Sequence, residues 1–224
     1  MPSGRWIAPL AGRPPRTRHV QRPRSEPPDG SHPLTIWTIG HSTRTSAEFL
    51  ALFSMHEIEL VADVRRFPGS RRHPQFATAA LERELTGAGL LYHWLPALGG
   101  RRPPMPGSRN DAWRHPAFRG YADYLGTEEF AGGLMELLML AYGRRTVLMC
   151  AELLWWRCHR RLIADVLVTM GIEVLHILRD GERTEQHRLA PPARLVGGVL
   201  TYALENDGNP ANERDERIRP HRPR

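Results

Sequence analysis

Thr146-Val147-Leu148-Met149-Cys150-Ala151-Glu152 is the stretch that decides the fold. The run before Glu152 holds no charge, and apolar side chains follow one another without alternation. Such a strand is covered on both faces, as in a parallel sheet lined by helices on each side. After Leu153 to Arg157 come Cys158-His159-Arg160, then Leu162, Ile163, Val166, Leu167 and Met170 at the spacing of one helix face. Cys158 and His159 lie one turn before that stripe, at its N-terminal edge. Glu152 therefore leaves the C-terminal end of a strand where His159 enters a helix. In open α/β sheets ligands bind in the crevice outside those strand ends. Free backbone N–H groups at a helix start favour an anion there.

Upstream, Thr35-Ile36-Trp37-Thr38-Ile39 predicts a first strand ending at Gly40-His41-Ser42. Thr45-Ser46-Ala47-Glu48 is a capping box that opens a helix with Phe49, Leu52 and Phe53 on its apolar face. Leu60 to Val64 is a second strand, with Asp63 and Arg65 at its end. Phe67-Pro68-Gly69-Ser70-Arg71 is turn-rich, and a helix from Thr78 to Gly87 follows. Leu91 to Leu95 is a third strand, closed by Pro96 and Gly99-Gly100. One long helical region is expected from about Gly120 to Tyr142, and a last strand from Glu173 to Leu178. Strands alternating with helices predict an α/β fold: a single three-layer domain with a mainly parallel sheet of roughly five strands. The folded unit is expected over Leu34–Leu189. Residues 1–33 read as a disordered Pro/Arg-rich tail, and residues 190–224 as an extended or disordered one.

Net charge is +7, which suits a polyanionic partner such as nucleic acid or nucleotides. No apolar run approaches the roughly 20 residues that span a membrane, and no apolar segment follows the basic N-terminus as in a secretory signal. Cys150 and Cys158 are the two cysteines. Their spacing is not a zinc pattern, so no metal and no cofactor are expected. Without a disulfide framework the reducing cytoplasm fits best. Oligomeric state is not legible.

Several of these segments together resemble one family. They are Thr38-Ile39-Gly40-His41-Ser42-Thr43, Asp63-Val64-Arg65, Pro68-Gly69-Ser70-Arg71, Leu98-Gly99-Gly100, Phe118 to Tyr124, Cys150-Ala151-Glu152, Cys158-His159-Arg160 and a late His187. In this order they resemble domain of unknown function family 488, a group of small bacterial and archaeal proteins. Members usually carry a polar, often Asp-Pro, segment where this chain has Leu153-Leu154-Trp155-Trp156-Arg157. The resemblance implies a fold and a site, and no established reaction.

Nearly every motif falls at the C-terminal end of a predicted strand, and that clustering argues for a site. Arg65, Arg71 and Arg160 are expected to hold a phosphate or carboxylate, which guanidinium binds bidentately. Glu152 is expected as general base or nucleophile, with His159 or His41 as proton donor and Asp63 beside them. Gly40, Ser42, Ser70, Gly99, Gly100, Tyr121, Cys158 and His187 complete the expected substrate-binding set. Cys150, inside an apolar strand, reads as an inert small hydrophobe, and the Trp155-Trp156 pair as packing or as a stacking surface for a planar ligand. The leading reading is an enzyme acting on a phosphate-bearing small molecule or nucleic acid, by metal-independent hydrolysis or glycosyl-type transfer. The alternatives are a non-catalytic nucleic-acid-binding module, and thiol or sulfur-transfer chemistry at Cys158.

Overall fold

The computed structural model describes residues 34–69 and 72–204. The expected tail over residues 1–33, the last part of the C-terminal one, and Ser70 and Arg71 lie outside the described residues. Strand β1 (Thr35–Gly40) is followed by α1 (Ser46–Met55), β2 (Leu60–Asp63), α2 (Thr78–Gly87) and β3 (Leu91–Trp94). Then come α3 (Pro116–Tyr124), α4 (Glu128–Ala141), β4 (Thr146–Cys150), α5 (Arg160–Thr169) and β5 (Glu173–Ile177). Three short strands close the described chain: β6 (Thr184–Gln186), β7 (Arg194–Val196) and β8 (Val199–Thr201). The main sheet has the order β3-β2-β4-β1-β5-β6. Its first five strands in sequence run parallel, and β6 pairs antiparallel with β5. The fold is thus α/β with a mainly parallel sheet, as expected.

Strand periodicity divides the interior into two cores. Trp37, Ile39, Val61, Val147 and Met149 point to one face, where Phe49 and Phe53 of α1 and Leu81 and Leu85 of α2 cover them. Ile36, Ala62 and Leu148 point to the other, against Tyr121 of α3, Leu137 of α4 and Leu162 of α5. Every residue of β4 is buried, which is why its sequence does not alternate. The capping box forms as read. Thr45 Oγ1 accepts from the Glu48 N–H at 3.2 Å, and the Glu48 carboxylate accepts from the Thr45 N–H at 2.8 Å.

Three features differ from expectation. The single helix expected from Gly120 to Tyr142 is two, α3 and α4. Thr127 breaks it by capping α4, its hydroxyl accepting from the Phe130 N–H at 3.2 Å. The sheet has a sixth strand because β6 is a three-residue exposed edge, which needs no apolar pattern. Packing also continues past Leu189. Strands β7 and β8 form a hairpin through Gly197-Gly198, both at positive φ as a tight two-residue turn demands, and Tyr202 beyond it is fully buried. Ala190, Ala193, Leu200 and Tyr202 anchor this segment to the core, too sparse a pattern to read. Among the described residues no helix is long and apolar enough to cross a membrane.

Strands β1 and β4 lie side by side, but β1 leads toward β2 on one side and β4 toward β5 on the other. This divergence opens the crevice in which such sheets bind ligands. Gly40 and Cys150 are paired at its floor. A Cβ on Gly40 would lie 1.9 Å from the Glu152 carbonyl oxygen, so the β4–α5 loop crosses directly over β1. Gly40→Ala must push that backbone away. We expect it to lower unfolding free energy by about 1–3 kcal/mol in urea titration. A midpoint equal to wild type would mean the loop is free to move.

Candidate functional site

The residues expected to line one pocket form two networks on opposite faces of the sheet. Asp63 shares the face of Val61, toward α1 and α2. Its carboxylate accepts from Arg65 Nε at 2.9 and 3.0 Å, from Arg65 Nη2 at 2.6 Å and from the Tyr92 hydroxyl at 2.8 Å. Arg65 Nη1 donates to the Phe76 carbonyl at 2.8 Å and lies 3.4 Å from His41 Nε2. The His41 ring stacks on Phe76 with centroids 4.0 Å apart, and its Nδ1 is 3.0 Å from the Ser42 carbonyl. Nδ1 must therefore donate, which leaves Nε2 to accept from Arg65. Burial, then the Arg65 charge, push the His41 pKa down to about 4. Arg65 is thus committed to Asp63, Phe76 and His41, and the whole set is a closed polar core.

On the other face, at the switch point, lie Cys150, Cys158, His159 and Arg160. Cys150 ends β4, and Cys158 and His159 sit in the turn that starts α5. His159 Nε2 is 2.9 Å from the Val64 carbonyl, so it carries a proton and turns Nδ1 toward sulfur. That Nδ1 is 3.6 Å from Cys158 Sγ and 3.9 Å from Cys150 Sγ. Gly100 packs on the same nitrogen, where a Cβ would come within 2.8 Å of it. Arg160 is 1 % exposed; its Nε donates to Cys158 Sγ at 3.4 Å and its Nη2 to the Glu152 carbonyl. Burial by itself pushes the Cys158 thiol up; a hydrogen bond from Cys150, then the His159 and Arg160 charges, outweigh it and hold the thiol well below its usual range. Cys150 goes the other way, raised well above that range by its hydrogen bond to Cys158 and by burial. The three donor atoms of Cys150, Cys158 and His159 lie within 4.8 Å of one another, a spacing that a soft cation could also bridge.

A buried chain of hydrogen bonds backs Arg160. The Asp165 carboxylate accepts from His187 Nε2 at 2.8 Å, from the Ala190 N–H at 3.0 Å and from the Tyr202 hydroxyl at 2.8 Å. With its Nε2 donating, His187 turns its Nδ1 to His176 Nε2 at 2.9 Å. His176 Nδ1 then accepts from the Thr38 hydroxyl at 2.7 Å, and Thr38 Oγ1 accepts from Arg160 Nη1 at 3.3 Å. Burial, then the His187 and Arg160 charges, push His176 down to about 2, so its neutral form is the one that fits. Trp155 stacks on the His176 ring at 4.0 Å with 8° between planes. The stacking role weighed for this Trp pair is therefore met by a histidine of the same chain.

The other expected residues fall around these two networks. Glu152 is exposed; its carboxylate accepts from the Leu154 N–H at 3.3 Å, and it is its carbonyl that meets Arg160. Ser42 adopts a left-handed φ of 51° and donates its N–H to the Ala151 carbonyl at 3.0 Å. Gly99 packs on Arg66. Tyr121 donates to the Leu98 carbonyl at 2.7 Å, and its ring centre is 5.1 Å from that of His159. His187 belongs to the chain behind Arg160. The sheet thus separates Asp63, Arg65 and His41 from Cys158, His159 and Arg160. Thr38, Cys150, Asp165 and His176 are not among the expected site residues. Two of them left a signal: Asp165 interrupts the apolar stripe of α5 and His176 an apolar strand, and a buried polar residue needs a partner.

Residues 45–167 match the family described as Domain of unknown function DUF488. The chain belongs to this family. No curated protein and no solved structure matches it. The DUF488 match takes in Asp63, Arg65, Cys150, Cys158, His159, Arg160 and Asp165, and leaves Thr38 and His41 before it and His176 and His187 beyond it.

Two outcomes follow from this geometry. His41 and His176 are buried neutral, with folded pKa values of about 4 and about 2 against 6.5 unfolded. Between pH 6.5 and 4 the unfolded chain binds more protons, so stability falls as pH falls, by about 1.4 kcal/mol per unit for each histidine. Denaturation series at stepped pH should show this slope beginning near neutrality; a flat profile from pH 7 to 5 would mean these rings are accessible to protons. Thr38→Val keeps the shape of the side chain but strands both Arg160 Nη1 and His176 Nδ1. It should cost about 1–3 kcal/mol in chemical denaturation, and Thr38→Ser should recover most of it. Equal losses in both variants would show that the hydroxyl is not what matters.

Proposed function

We propose that the protein is a thiol enzyme, with Cys158 as nucleophile, His159 as its proton carrier and Arg160 holding the negative sulfur. The observation that carries this reading is the contact between Arg160 Nε and Cys158 Sγ. A guanidinium with 1 % exposure needs a negative partner. Arg160 touches a hydroxyl, a carbonyl and this sulfur, and of the three only sulfur can take the charge. The thiolate is the reactive form of cysteine. His159 Nδ1 faces it while Nε2 is held by Val64, so the proton that Cys158 gives up has one ring nitrogen to occupy. In the reaction, Sγ bonds to an electrophilic centre, the bond to the leaving group breaks, and the leaving group takes the Nδ1 proton.

This was one of the alternatives legible in the sequence. The leading one, a phosphate-bearing substrate gripped by arginines with Glu152 as base, receives less support. Arg65 and Arg160 are engaged inside the protein, and the Glu152 carboxylate is exposed and faces its own loop. The net charge of +7 over the whole chain remains a reason for a polyanionic partner. The thiol reading fits a reducing compartment such as the cytoplasm, where the two cysteines rest as thiols.

Iodoacetamide labelling of the native protein tests it. Cys158 should be alkylated at pH 7, with a rate midpoint well below the ordinary thiol value of about 8.5, and Cys158→Ser should abolish the fast phase. Sulfate and phosphate should leave the melting temperature nearly unchanged. Labelling that is no faster in native than in unfolded protein at pH 7 would overturn the proposal, as would labelling that begins only after a chelator strips a bound metal ion.

A further inference from the structure

Cys150 is the buried nucleophilic group that this reading leaves without a task. It ends β4, is 8 % exposed, and keeps its Sγ 3.9 Å from the same His159 Nδ1 that serves Cys158. The two sulfurs lie within 4.8 Å of each other. A disulfide requires them to close to roughly 2.05 Å. The partners come from a strand end and from the turn before α5, joined by the loop over Gly40. Cys158 is 4 % exposed, and Gly100 lies directly against the His159 nitrogen, so the approach to the sulfur is narrow.

We infer that Cys150 is the resolving thiol of a redox pair, and that the electrophile Cys158 meets is a small hydroperoxide. The inference rests on the thiol reading above. Three features of the site support it. A sulfur held negative by Arg160 is the form that attacks a peroxide oxygen. A second thiol stands within reach to trap the product. Both sulfurs are buried, which favours a reagent of a few atoms over a nucleotide as first reactant.

The chemistry balances without a further co-reactant. Cys158 Sγ bonds to the outer oxygen of ROOH, the O–O bond breaks, and the departing RO⁻ takes the His159 Nδ1 proton to leave as ROH. Cys158 is now a sulfenic acid. Cys150 Sγ attacks that sulfur, the S–O bond breaks, and the oxygen leaves as water with the proton of the Cys150 thiol, passed through Nδ1. Two thiols are oxidised by two electrons to a disulfide, and one hydroperoxide is reduced to an alcohol and water. A cellular dithiol restores the pair. Cys150, read from sequence as inert, thus protects Cys158 from passing to the irreversible sulfinic state.

The test is one equivalent of hydrogen peroxide on the full-length reduced protein at pH 7, followed by intact mass and peptide mapping. Wild type should lose two hydrogen atoms and yield a peptide pair joined through Cys150 and Cys158, reversed by dithiothreitol. Cys150→Ser, and independently Cys150→Ala, should instead accumulate a sulfenic acid at Cys158 that dimedone traps. If wild type stays reduced while iodoacetamide still labels Cys158 rapidly, the redox inference fails and the thiol reading stands. If neither reagent reacts at pH 7, the thiol reading itself falls. Peroxide modifying Cys150 first would also overturn the assignment of roles. The wild-type disulfide needs no variant to fold, so the outcome is decided even if Cys150 proves essential for stability.

Discussion

Arg160 carries a permanent positive charge into a place that is 1 % exposed, and most of the polar architecture on its side of the sheet exists to receive it. Desolvating a guanidinium costs several kcal/mol unless its donors are met and its charge is answered. Nε meets sulfur, Nη1 meets Thr38 and Nη2 meets the Glu152 carbonyl. Each partner is then constrained in turn. Thr38 must offer its hydroxyl to His176, and His176 must offer its other nitrogen to His187. The β4–α5 loop must lie over Gly40, where a side chain would collide with its backbone. One buried cation thus sets the tautomer of a histidine two contacts away and the identity of a glycine on the neighbouring strand.

The Asp63–Arg65 pair shows the contrasting case on the opposite face. There the charge is answered by a carboxylate at once, with His41, Tyr92 and Phe76 closing the remaining positions. That network meets its charges and donors within itself. Among the described residues no carboxylate contacts Arg160; Asp165 reaches it through His187, His176 and Thr38. This difference is what favours the proposed thiol chemistry on the Arg160 side. Reactivity is expected where a charge is answered by a group that can also attack, and sulfur is that group.

The cysteines behave unequally although both are buried. They share one histidine nitrogen and hydrogen-bond to each other, but Arg160 touches only Cys158. Neighbouring ionisable groups at this distance cannot both lose a proton cheaply, so one is held down and the other pushed up. The asymmetry distinguishes two side chains that are chemically identical.

Local sequence determined a good deal by itself. The unbroken apolar run of β4 and the capping box at Thr45 each express a short-range rule, and each formed as read; the α5 stripe formed through Leu162, Ile163 and Leu167, while Met170 lies past the helix end and is exposed. The α/β class and the gathering of motifs at strand ends followed from their order along the chain. Tertiary structure decided which of those motifs meet. Side chains alternate across a strand, so Asp63 and Val64 at one strand end serve opposite faces, and residues adjacent in sequence entered different networks. It also turned Glu152 outward while drawing in its carbonyl. It found partners for Asp165 in Tyr202, beyond the expected domain end, and for Trp155 in His176. Such pairings depend on strand order and on which face a loop crosses. Those are set by the balance of burial over the whole sheet, and no window of a few residues contains that balance.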